Sequence, residues 1–257
     1  MRAGAEQGLR GEDAPLITAR HSKAAQALFH LYIMPAMQRQ FHSVHLLGDE
    51  PAWPAYTPLI ILPNHSTWWD GFVIYLLNIR LWRRQPWVMM LEEQLRKRPF
   101  FRRLGVFSID PATPGGVRRS LRYTRELLSG EEAGGRMLCL FPQGELLPWD
   151  HRPLGYKPGL IWLLQRLESP VCLVQLGIRG EFLQQQRPQL FLEFSPPLEW
   201  SGGENTLREW EQAHAALLER LSGRIAAGEE GRILLQGRRS VDARWQYWRG
   251  LLRREVL

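Results

Sequence analysis

The chain has 257 residues, of which 44% are hydrophobic and 23% are charged, and it carries a net charge of +7 with a pI of about 9.9. This composition excludes general disorder and suits a single domain, residues 1–257, with its own hydrophobic core. Nearly all of the positive charge is arginine, whose guanidinium binds phosphates and carboxylates, so acidic partners are expected. Eleven tryptophans favour a binding surface or a membrane interface.

The predicted elements alternate between short apolar runs and amphipathic segments. A first helix is predicted from Lys23 to Val44, with Ala27, Leu28, Leu31 and Met34 as its apolar stripe. The alternation predicts an α/β fold, with a mixed central sheet flanked by helices in a core of about residues 40–200. The predicted strands are Val44–Leu47, Leu59–Leu62, Trp87–Leu91, Val106–Ile109, Met137–Phe141, Val171–Leu176 and Gln189–Phe194, and the predicted helices between them are Trp69–Trp82, Gly116–Ser129 and Gly159–Leu167.

A helical C-terminal extension is predicted from residue 204 to residue 257. Pro196-Pro197 and the run from Ser201 to Gly203 mark a break before it. Leu207–Ala227 has the apolar spacing of an amphipathic helix, and Arg238–Arg254 predicts a second helix that is strongly basic.

The two cysteines and the N-terminus indicate a cytoplasmic protein. Cys139 and Cys172 each lie within an apolar run, so we predict two reduced core residues in neighbouring strands. The N-terminus is polar and mixed in charge, without the pattern of a signal peptide. No apolar run approaches the roughly 18–20 residues that a membrane-spanning helix needs.

The stretch LPNHSTWWDG, from Leu62 to Gly71, places a histidine and an aspartate around a turn. Pro63-Asn64 ends a predicted strand and Asp70 lies early in the next helix, so His65 can fold back toward the Asp70 carboxylate. An imidazole that is held at one nitrogen by an acceptor can act as a base through the other. The pattern predicts a catalytic His–Asp dyad; the alternative is that His65 caps a helix and Asp70 pairs with an arginine.

Neither a nucleophile nor a metal site is predicted beside this dyad. The sequence has no G-x-S-x-G motif and no cysteine near the turn, so the attacking hydroxyl would belong to the substrate. His42 and His45 lie in a different segment, and no second histidine stands at ligand spacing from His65.

Three other stretches carry candidate binding residues. The segment from Phe141 to Glu145 follows an apolar strand, and its proline and glycine allow a sharp turn whose polar groups could hold a hydroxyl or a phosphate. Lys157 precedes a predicted helix and could reach a phosphate. A basic loop before Val106 could attract an anionic substrate. For each of the three stretches, the alternative is an ordinary turn or a solvated basic surface. The basic loop contributes Arg98, Arg102 and Arg103.

In this order, the motifs resemble those of the glycerolipid acyltransferase family, the lysophosphatidate (PlsC-like) acyltransferases. The resemblance spans roughly residues 63–178, and it is specific because the His-x4-Asp block occurs together with the Phe-Pro-x-Gly block. The motifs are Asn64-His65-x4-Asp70, Gly105-x3-Ile109, Phe141-Pro142-x-Gly144 and Pro170-Val171.

The resemblance implies a PlsC-like fold and transfer of a fatty acyl group from acyl-CoA or acyl carrier protein to a hydroxyl of a lipid acceptor. His65 would take the proton from that hydroxyl, Asp70 would hold His65, and backbone N–H groups would stabilise the oxyanion. No cofactor beyond the acyl donor is implied. The implied substrate-binding residues are Asn64, Arg98, Arg102, Arg103, Gly105, Phe141, Pro142, Gln143, Gly144, Glu145 and Lys157.

The sequence departs from the family pattern in the loop that begins at Phe141, which the resemblance implies binds the acceptor. The family usually has Phe-Pro-Glu-Gly-Thr-Arg, whereas Gln143, Glu145 and Leu146 here replace the glutamate, threonine and arginine. Pro111 also stands where an arginine usually follows the second block. Both changes remove groups associated with glycerol phosphate, so a glycosylated lipid or another lipid alcohol is an alternative acceptor.

Membrane contact is expected because the acceptor is a lipid. The helix predicted at Arg238–Arg254 combines arginines with Trp245 and Trp248, a pattern typical of a helix that lies on an anionic membrane surface. A core-packing helix with a basic outer face is the alternative. Two other classes stay open: a nucleic-acid-binding protein, which the scattered basic residues and the dyad disfavour, and a lipid-binding member of the fold without turnover.

Overall fold

The structure, a computed structural model, describes residues 15–202 and 206–238 as one sheet with helices on both faces. The strands are β1 (Ser43–Leu46), β2 (Leu59–Pro63), β3 (Gln85–Leu91), β4 (Val106–Ile109), β5 (Arg136–Cys139), β6 (Val171–Glu181), β7 (Gln189–Phe194), β8 (Leu198–Trp200) and β9 (Arg232–Gln236). The helices are α1 (Lys23–Gln40), α2 (Asp70–Leu77), α3 (Glu92–Lys97), α4 (Pro114–Leu127), α5 (Gly159–Leu164) and α6 (Leu207–Ala226), with a π-helical turn at Asn78–Trp82 and 3-10 turns at Pro99–Leu104 and Glu131–Gly135.

The sheet is mixed, as the sequence predicted. Its strand order is β4-β3-β5-β2-β6-β7-β1-β9, and β8 pairs with β6 outside this path. The strands from β4 to β6 in this order are parallel, β7 runs antiparallel to β6, and β9 runs antiparallel to β1. Because β5, β2 and β6 are parallel neighbours, their carboxyl ends lie at the same edge of the sheet.

The central strand β2 is buried on both faces, which explains its continuous apolar sequence. Leu59 and Ile61 belong to a core that includes residues of α1 and α2 on one face. Ile60 and Leu62 belong to a second core, formed with residues of α4, α5 and α6 on the other face. The sheet is therefore enclosed between two helical layers, and the end of β2 is a rigid starting point for the residues that follow.

The prediction of which side of α1 is buried was wrong. Leu28 and Leu31 are 63% and 73% exposed, whereas the buried side is formed by Ala25, Phe29, Ile33 and Met37. Both sides of this helix are apolar, so periodicity could not decide between them. Aromatic contacts determine which side of α1 faces the core. Phe29 packs against rings of α2 and of the 3-10 turn Pro99–Leu104, namely Phe72, Tyr75, Phe100 and Phe101. The helix also ends at Gln40 rather than Val44, because β1 begins at Ser43.

The C-terminal region contains the helix predicted at Leu207–Ala227 and a strand that the sequence analysis did not predict. Helix α6 starts with a capping box, in which Thr206 and Glu209 satisfy each other's backbone N–H groups, and its buried residues face the sheet. Strand β9 then pairs antiparallel with β1 at the sheet edge. Apart from Arg238, the second predicted helix, Arg238–Arg254, lies outside the described residues.

Both cysteines are free and buried in the core, as predicted. They are not in neighbouring strands, however, because Cys139 of β5 and Cys172 of β6 pair with opposite sides of β2. Burial raises the pKa of both thiols, so they are poor nucleophiles. None of the described helices has the length and apolar composition that crossing a membrane requires.

Candidate active site

The turn that carries His65 leaves the sheet at the carboxyl end of β2. Asn64 is the first residue of this turn, and its side chain is committed to the neighbouring strand β6. Its Nδ2 donates to the carbonyl oxygen of Ile178 at 2.9 Å, and its Oδ1 accepts from the N–H of Ile178 at 2.7 Å. The Asn64 side chain thus fixes the starting direction of the turn, and substrate binding by Asn64 stays a prediction.

Asp70 is the centre of the turn. Its side chain is only 1% exposed. Oδ2 accepts from His65 Nδ1 at 2.9 Å and from the N–H groups of Ser66 and Thr67 at 2.7 and 2.9 Å, while Oδ1 accepts from Thr67 Oγ1 at 2.6 Å. A buried carboxylate is tolerated when its oxygens are satisfied in this way, and its place in the first turn of α2 adds a favourable helix dipole.

These contacts define which nitrogen of His65 can act as a base. A carboxylate that already accepts from two N–H groups can only accept from the imidazole, so Nδ1 carries the proton and Nε2 has a free lone pair. The His65 side chain is 23% exposed, which leaves it accessible to a substrate. Its ring stacks on that of Phe141, with 4.1 Å between ring centroids. His65 and Asp70 therefore make the contact that the sequence predicted, and their catalytic role stays a prediction.

The loop from Phe141 to Leu147, the acceptor loop, follows β5 and is built against His65. Besides the Phe141 stacking, Gln143 Oε1 accepts from the His65 N–H at 2.6 Å, and the Leu147 N–H donates to the His65 carbonyl oxygen at 2.9 Å. Gly144 permits the turn, because its φ of +71° is strained for other residues. The structure thus brings together two motifs that lie far apart in the sequence.

Lys157 is attached to the same loop from the outside. Its backbone N–H donates to the carbonyl oxygen of Pro142 at 2.8 Å, and its Nζ lies 2.9 Å from Glu145 Oε1. The hydrogen bond with Lys157 lowers the pKa of Glu145. Both side chains are well exposed, so this ion pair is a solvated contact at the rim of the site.

The basic residues predicted before β4 do not contact His65 in the part of the chain that the structure describes. Arg102 Nε donates to the carbonyl oxygen of Thr18, and Arg98 bonds to Gln94, while Arg103 is exposed. Gly105 has a φ of +100°, and a Cβ there would lie 2.0 Å from a backbone oxygen of β3. The glycine is therefore required for packing, and substrate binding by the three arginines stays a prediction.

A buried polar network beneath the site was not predicted. The carbonyl oxygen of Leu176 accepts from the Asn64 N–H and faces His214 Nε2 at 3.2 Å, and His214 Nδ1 is hydrogen-bonded to the Tyr156 hydroxyl. Burial lowers the pKa of His214 to about 4, so this imidazole is neutral at physiological pH. In sequence, His214 is one polar residue within an amphipathic helix, and nothing nearby signals its burial.

Within residues 15–202 and 206–238, no three His, Cys, Asp or Glu side chains come together as a metal site. What the described site offers is an accessible imidazole nitrogen, oriented by a buried carboxylate and enclosed by the acceptor loop. This arrangement can remove a proton from a hydroxyl supplied by a substrate.

The sequence comparison assigns the chain to the class that this site suggests. The model of the family described as Acyltransferase matches residues 44–175, just over half of the chain. The chain therefore belongs to the acyltransferase family, and the matched region contains His65, Asp70 and the acceptor loop. No curated protein matches the sequence.

The fold agrees with this assignment. The structure is similar to the crystal structure of PlsC, a 1-acyl-sn-glycerophosphate (LPA) acyltransferase from Thermotoga maritima. The TM-score is 0.53 at 16% sequence identity, and the match covers 80% of this chain and 79% of that chain. At this identity the likeness defines the fold, so the PlsC-like fold is confirmed whereas the substrates are not.

Proposed function

We propose that this protein transfers a fatty acyl group from a thioester, acyl-CoA or acyl carrier protein, to a hydroxyl of a lipid acceptor. The observation that carries the proposal is the orientation of His65, with Nδ1–H held by the buried Asp70 and Nε2 open to substrate. Family membership supports acyl transfer as the reaction class.

In the proposed reaction, His65 Nε2 takes the proton of the acceptor hydroxyl while the hydroxyl oxygen attacks the thioester carbonyl carbon. Asp70 keeps the imidazole oriented and stabilises its charged form. Backbone N–H groups beside the site stabilise the oxyanion that forms. The tetrahedral intermediate then loses the thiolate, which takes the proton from His65, and the products are an ester and a free thiol. These reaction steps need no cofactor, because the thioester is a co-substrate.

We propose an acceptor without a phosphate at the position that this loop contacts, such as a glycosylated lipid or another lipid alcohol. The acceptor loop has Glu145 and Leu146 where the resembling family usually has threonine and arginine. Glu145 is ionised and already engages Lys157, so the rim of the loop presents no unpaired cation in its described contacts. A lysophosphatidate-type acceptor is the competing substrate, and it would need Lys157 to exchange its partner.

We further propose that the protein works peripherally at the cytoplasmic surface of a membrane, with the outer side of α1 in contact with lipid. Leu28, Leu31 and Tyr32 are all more than 60% exposed there. Trp68, in the His65 turn, is 55% exposed and packs on Phe72 of α2, the same ring that contacts the inner side of α1. Trp68 lies between His65 and Asp70 in the sequence, so an exposed apolar side chain stands in the turn of the active site, where a lipid acceptor would enter.

The test of catalysis is thiol release together with ester formation. Palmitoyl-CoA and palmitoyl-acyl carrier protein would be offered as donors, with monooleoylglycerol, lysophosphatidate or a bacterial lipid extract as the acceptor. Removing the general base should lower transfer by about 10²–10⁴-fold in His65→Ala. His42→Ala, at a histidine between α1 and β1, is the control. Binding of lipid without thiol release from either donor would contradict catalysis and support the binding-only alternative.

The test of membrane contact is flotation with anionic vesicles. A charge within the proposed contact, Leu31→Glu, should weaken flotation, while the same change at Leu198, an exposed leucine of β8, should not. Flotation should also fall as salt rises. A second arm deletes residues 239–257, so that the contribution of the predicted basic helix is measured separately. Equal flotation of the Leu31 and Leu198 variants would remove α1 from the proposal, and preferential binding to duplex DNA would favour the nucleic-acid alternative.

A further inference from the structure

The loop between β6 and β7, residues 182–188, projects from the sheet at the edge that carries the candidate active site. The last residue of β2, Pro63, pairs with Leu176, and β6 continues beyond this level before the chain turns back into β7. This extension of β6 borders the site, because the side chain of Asn64 bonds to the backbone of Ile178. A surface that binds the β6–β7 loop is therefore held close to the site.

Two apolar side chains lie exposed at the tip of this loop. Phe182 and Leu183 are each 60% exposed, and neither belongs to an apolar cluster of the described core. The Gln185 N–H donates to the Phe182 carbonyl oxygen at 2.8 Å, which closes the tip as a turn. Leu183 has a φ of +45°, a left-handed conformation that is unfavourable for leucine and that glycine or asparagine adopts more readily. A leucine that the backbone disfavours and the described core does not pack is explained by a contact outside the chain.

Positive charge lies at the base of the same loop. The Arg187 guanidinium donates to carbonyl oxygens at the end of α1, that of Arg39 among them at 2.9 Å, and to the carbonyl oxygen of Arg238. Arg39 and Arg238 are exposed, and none of the three arginines forms a salt bridge within the part of the chain that the structure describes. The loop contains no acidic residue, and Glu181, which precedes it, is paired with Arg179 at 2.7 Å. The charge of the three arginines is therefore available to an anionic surface.

We infer that the β6–β7 loop is a second membrane contact, in which Phe182 and Leu183 insert into an anionic bilayer. Arg39, Arg187 and Arg238 then lie at the level of the lipid phosphates. An apolar tip flanked by arginines fits a bilayer, because hydrocarbon and a plane of anionic headgroups lie next to each other there. The inference rests on the proposed peripheral function, and it adds a contact on the edge of the sheet from which the His65 turn projects.

The variant Leu183→Asn tests the contact without disturbing the fold. Asparagine tolerates a positive φ, so the melting temperature should stay the same or rise, whereas the apolar side chain is lost. Binding of the full chain would be measured by flotation with vesicles of equal parts phosphatidylcholine and phosphatidylglycerol. Leu198→Asn is the matched control, because Leu198 is an exposed leucine of β8 that pairs with the opposite end of β6.

We expect the partition coefficient of Leu183→Asn to be lower than that of the wild type by about tenfold, and that of Leu198→Asn to be unchanged. Binding of the wild type should weaken when phosphatidylglycerol is omitted or salt is raised. Equal partition of Leu183→Asn and the wild type would overturn the inference and leave the α1 contact intact. A wild-type protein that does not float would reject the proposed membrane location itself.

A fluorescent label locates the loop directly. In Leu183→Cys the introduced thiol would be exposed, whereas Cys139 and Cys172 are buried and their thiol pKa values are raised, so an environment-sensitive fluorophore should label the loop selectively. Its emission should shift to the blue on the same vesicles and be quenched by lipids with a nitroxide in the acyl chain, while the label in Leu198→Cys should show neither effect. A label that stays in water on bound protein would overturn the inference. A blue shift that needs only higher protein concentration would also overturn it, since the loop would then bind a second copy of the chain.

Discussion

The two side-chain pairs near the site, His65–Asp70 and Glu145–Lys157, differ in burial and in the number of hydrogen bonds around them. Asp70 is buried, engages His65, and is surrounded by donors from its own turn. Glu145 and Lys157 form an exposed pair at the rim of the acceptor loop. Buried, fully bonded groups hold one geometry, whereas exposed ion pairs contribute little and exchange partners readily. In the proposed reaction the proton-transfer pair is therefore preorganised, whereas the rim that we propose to contact the acceptor is more adaptable.

The largest effect is expected from Asp70→Asn. The amide would place an N–H group against donors of the turn and would no longer hold His65 in the required tautomer, so activity should fall by roughly 10²–10⁴-fold with a lower melting temperature. Transfer kinetics and thermal unfolding would be measured. Asp150→Asn, an exposed carboxylate paired with Arg179, is the control. Full activity in Asp70→Asn would show that the buried pair is structural only.

A second expectation concerns the buried polar network of Leu176, His214 and Tyr156. The pKa of His214 is about 4 in the folded protein, below the ordinary value of 6.5, because burial disfavours the charged ring. The neutral His214 ring therefore contributes fully to the free energy of unfolding above pH 6.5. This contribution is lost as the pH falls toward 4, and the total loss is about 3 kcal/mol. Denaturant unfolding at several pH values would measure this loss.

His214→Gln provides the control, since an amide can donate to the Leu176 carbonyl oxygen and accept from Tyr156 without titrating. The acid-induced loss of stability should be smaller in this variant than in the wild type. Identical pH dependence of the two proteins would count against the assignment.

A smaller effect is expected from Thr67→Val, which removes one of the hydrogen bonds to Asp70. The change should cost about 1–2 kcal/mol of stability, because a charged acceptor loses a close donor, and should lower activity several-fold. Thr67→Ser keeps the hydroxyl and should restore both properties. If the serine variant were as impaired as the valine variant, the methyl group rather than the hydrogen bond would be responsible.

The smallest effect on stability is expected at the rim. Glu145→Gln should leave the melting temperature unchanged, because the pair is solvated. It should also free Lys157 to bind a phosphate, so the ratio of kcat/KM for lysophosphatidate to that for monooleoylglycerol should rise several-fold. Glu93→Gln, which breaks the exposed pair with Lys97 on α3, is the control. An unchanged ratio would exclude Glu145 from acceptor selection.

The strands and turns that carry the two pairs could be predicted from the sequence, whereas the ion pair between Glu145 and Lys157 was not predicted. The apolar runs of β2 and β5 are continuous because both faces are buried, and the turn residues after them marked His65, Asp70 and the acceptor loop. What could not be predicted depends on contacts between distant segments. Strand β9 is stabilised by pairing with β1, the buried side of α1 is selected by aromatic rings of α2, and His214 is significant only because of Leu176 and Tyr156.

The state of the His65 ring tests the central claim most directly. Nitrogen-15 NMR of protein labelled at histidine, with His65→Ala to assign the signals, reports which nitrogen carries the proton in the neutral ring. Because Asp70 can only accept from Nδ1, we predict a protonated Nδ1 and an unprotonated Nε2. A ring protonated at Nε2 instead would contradict the account, because His65 could then not take a proton from an incoming hydroxyl.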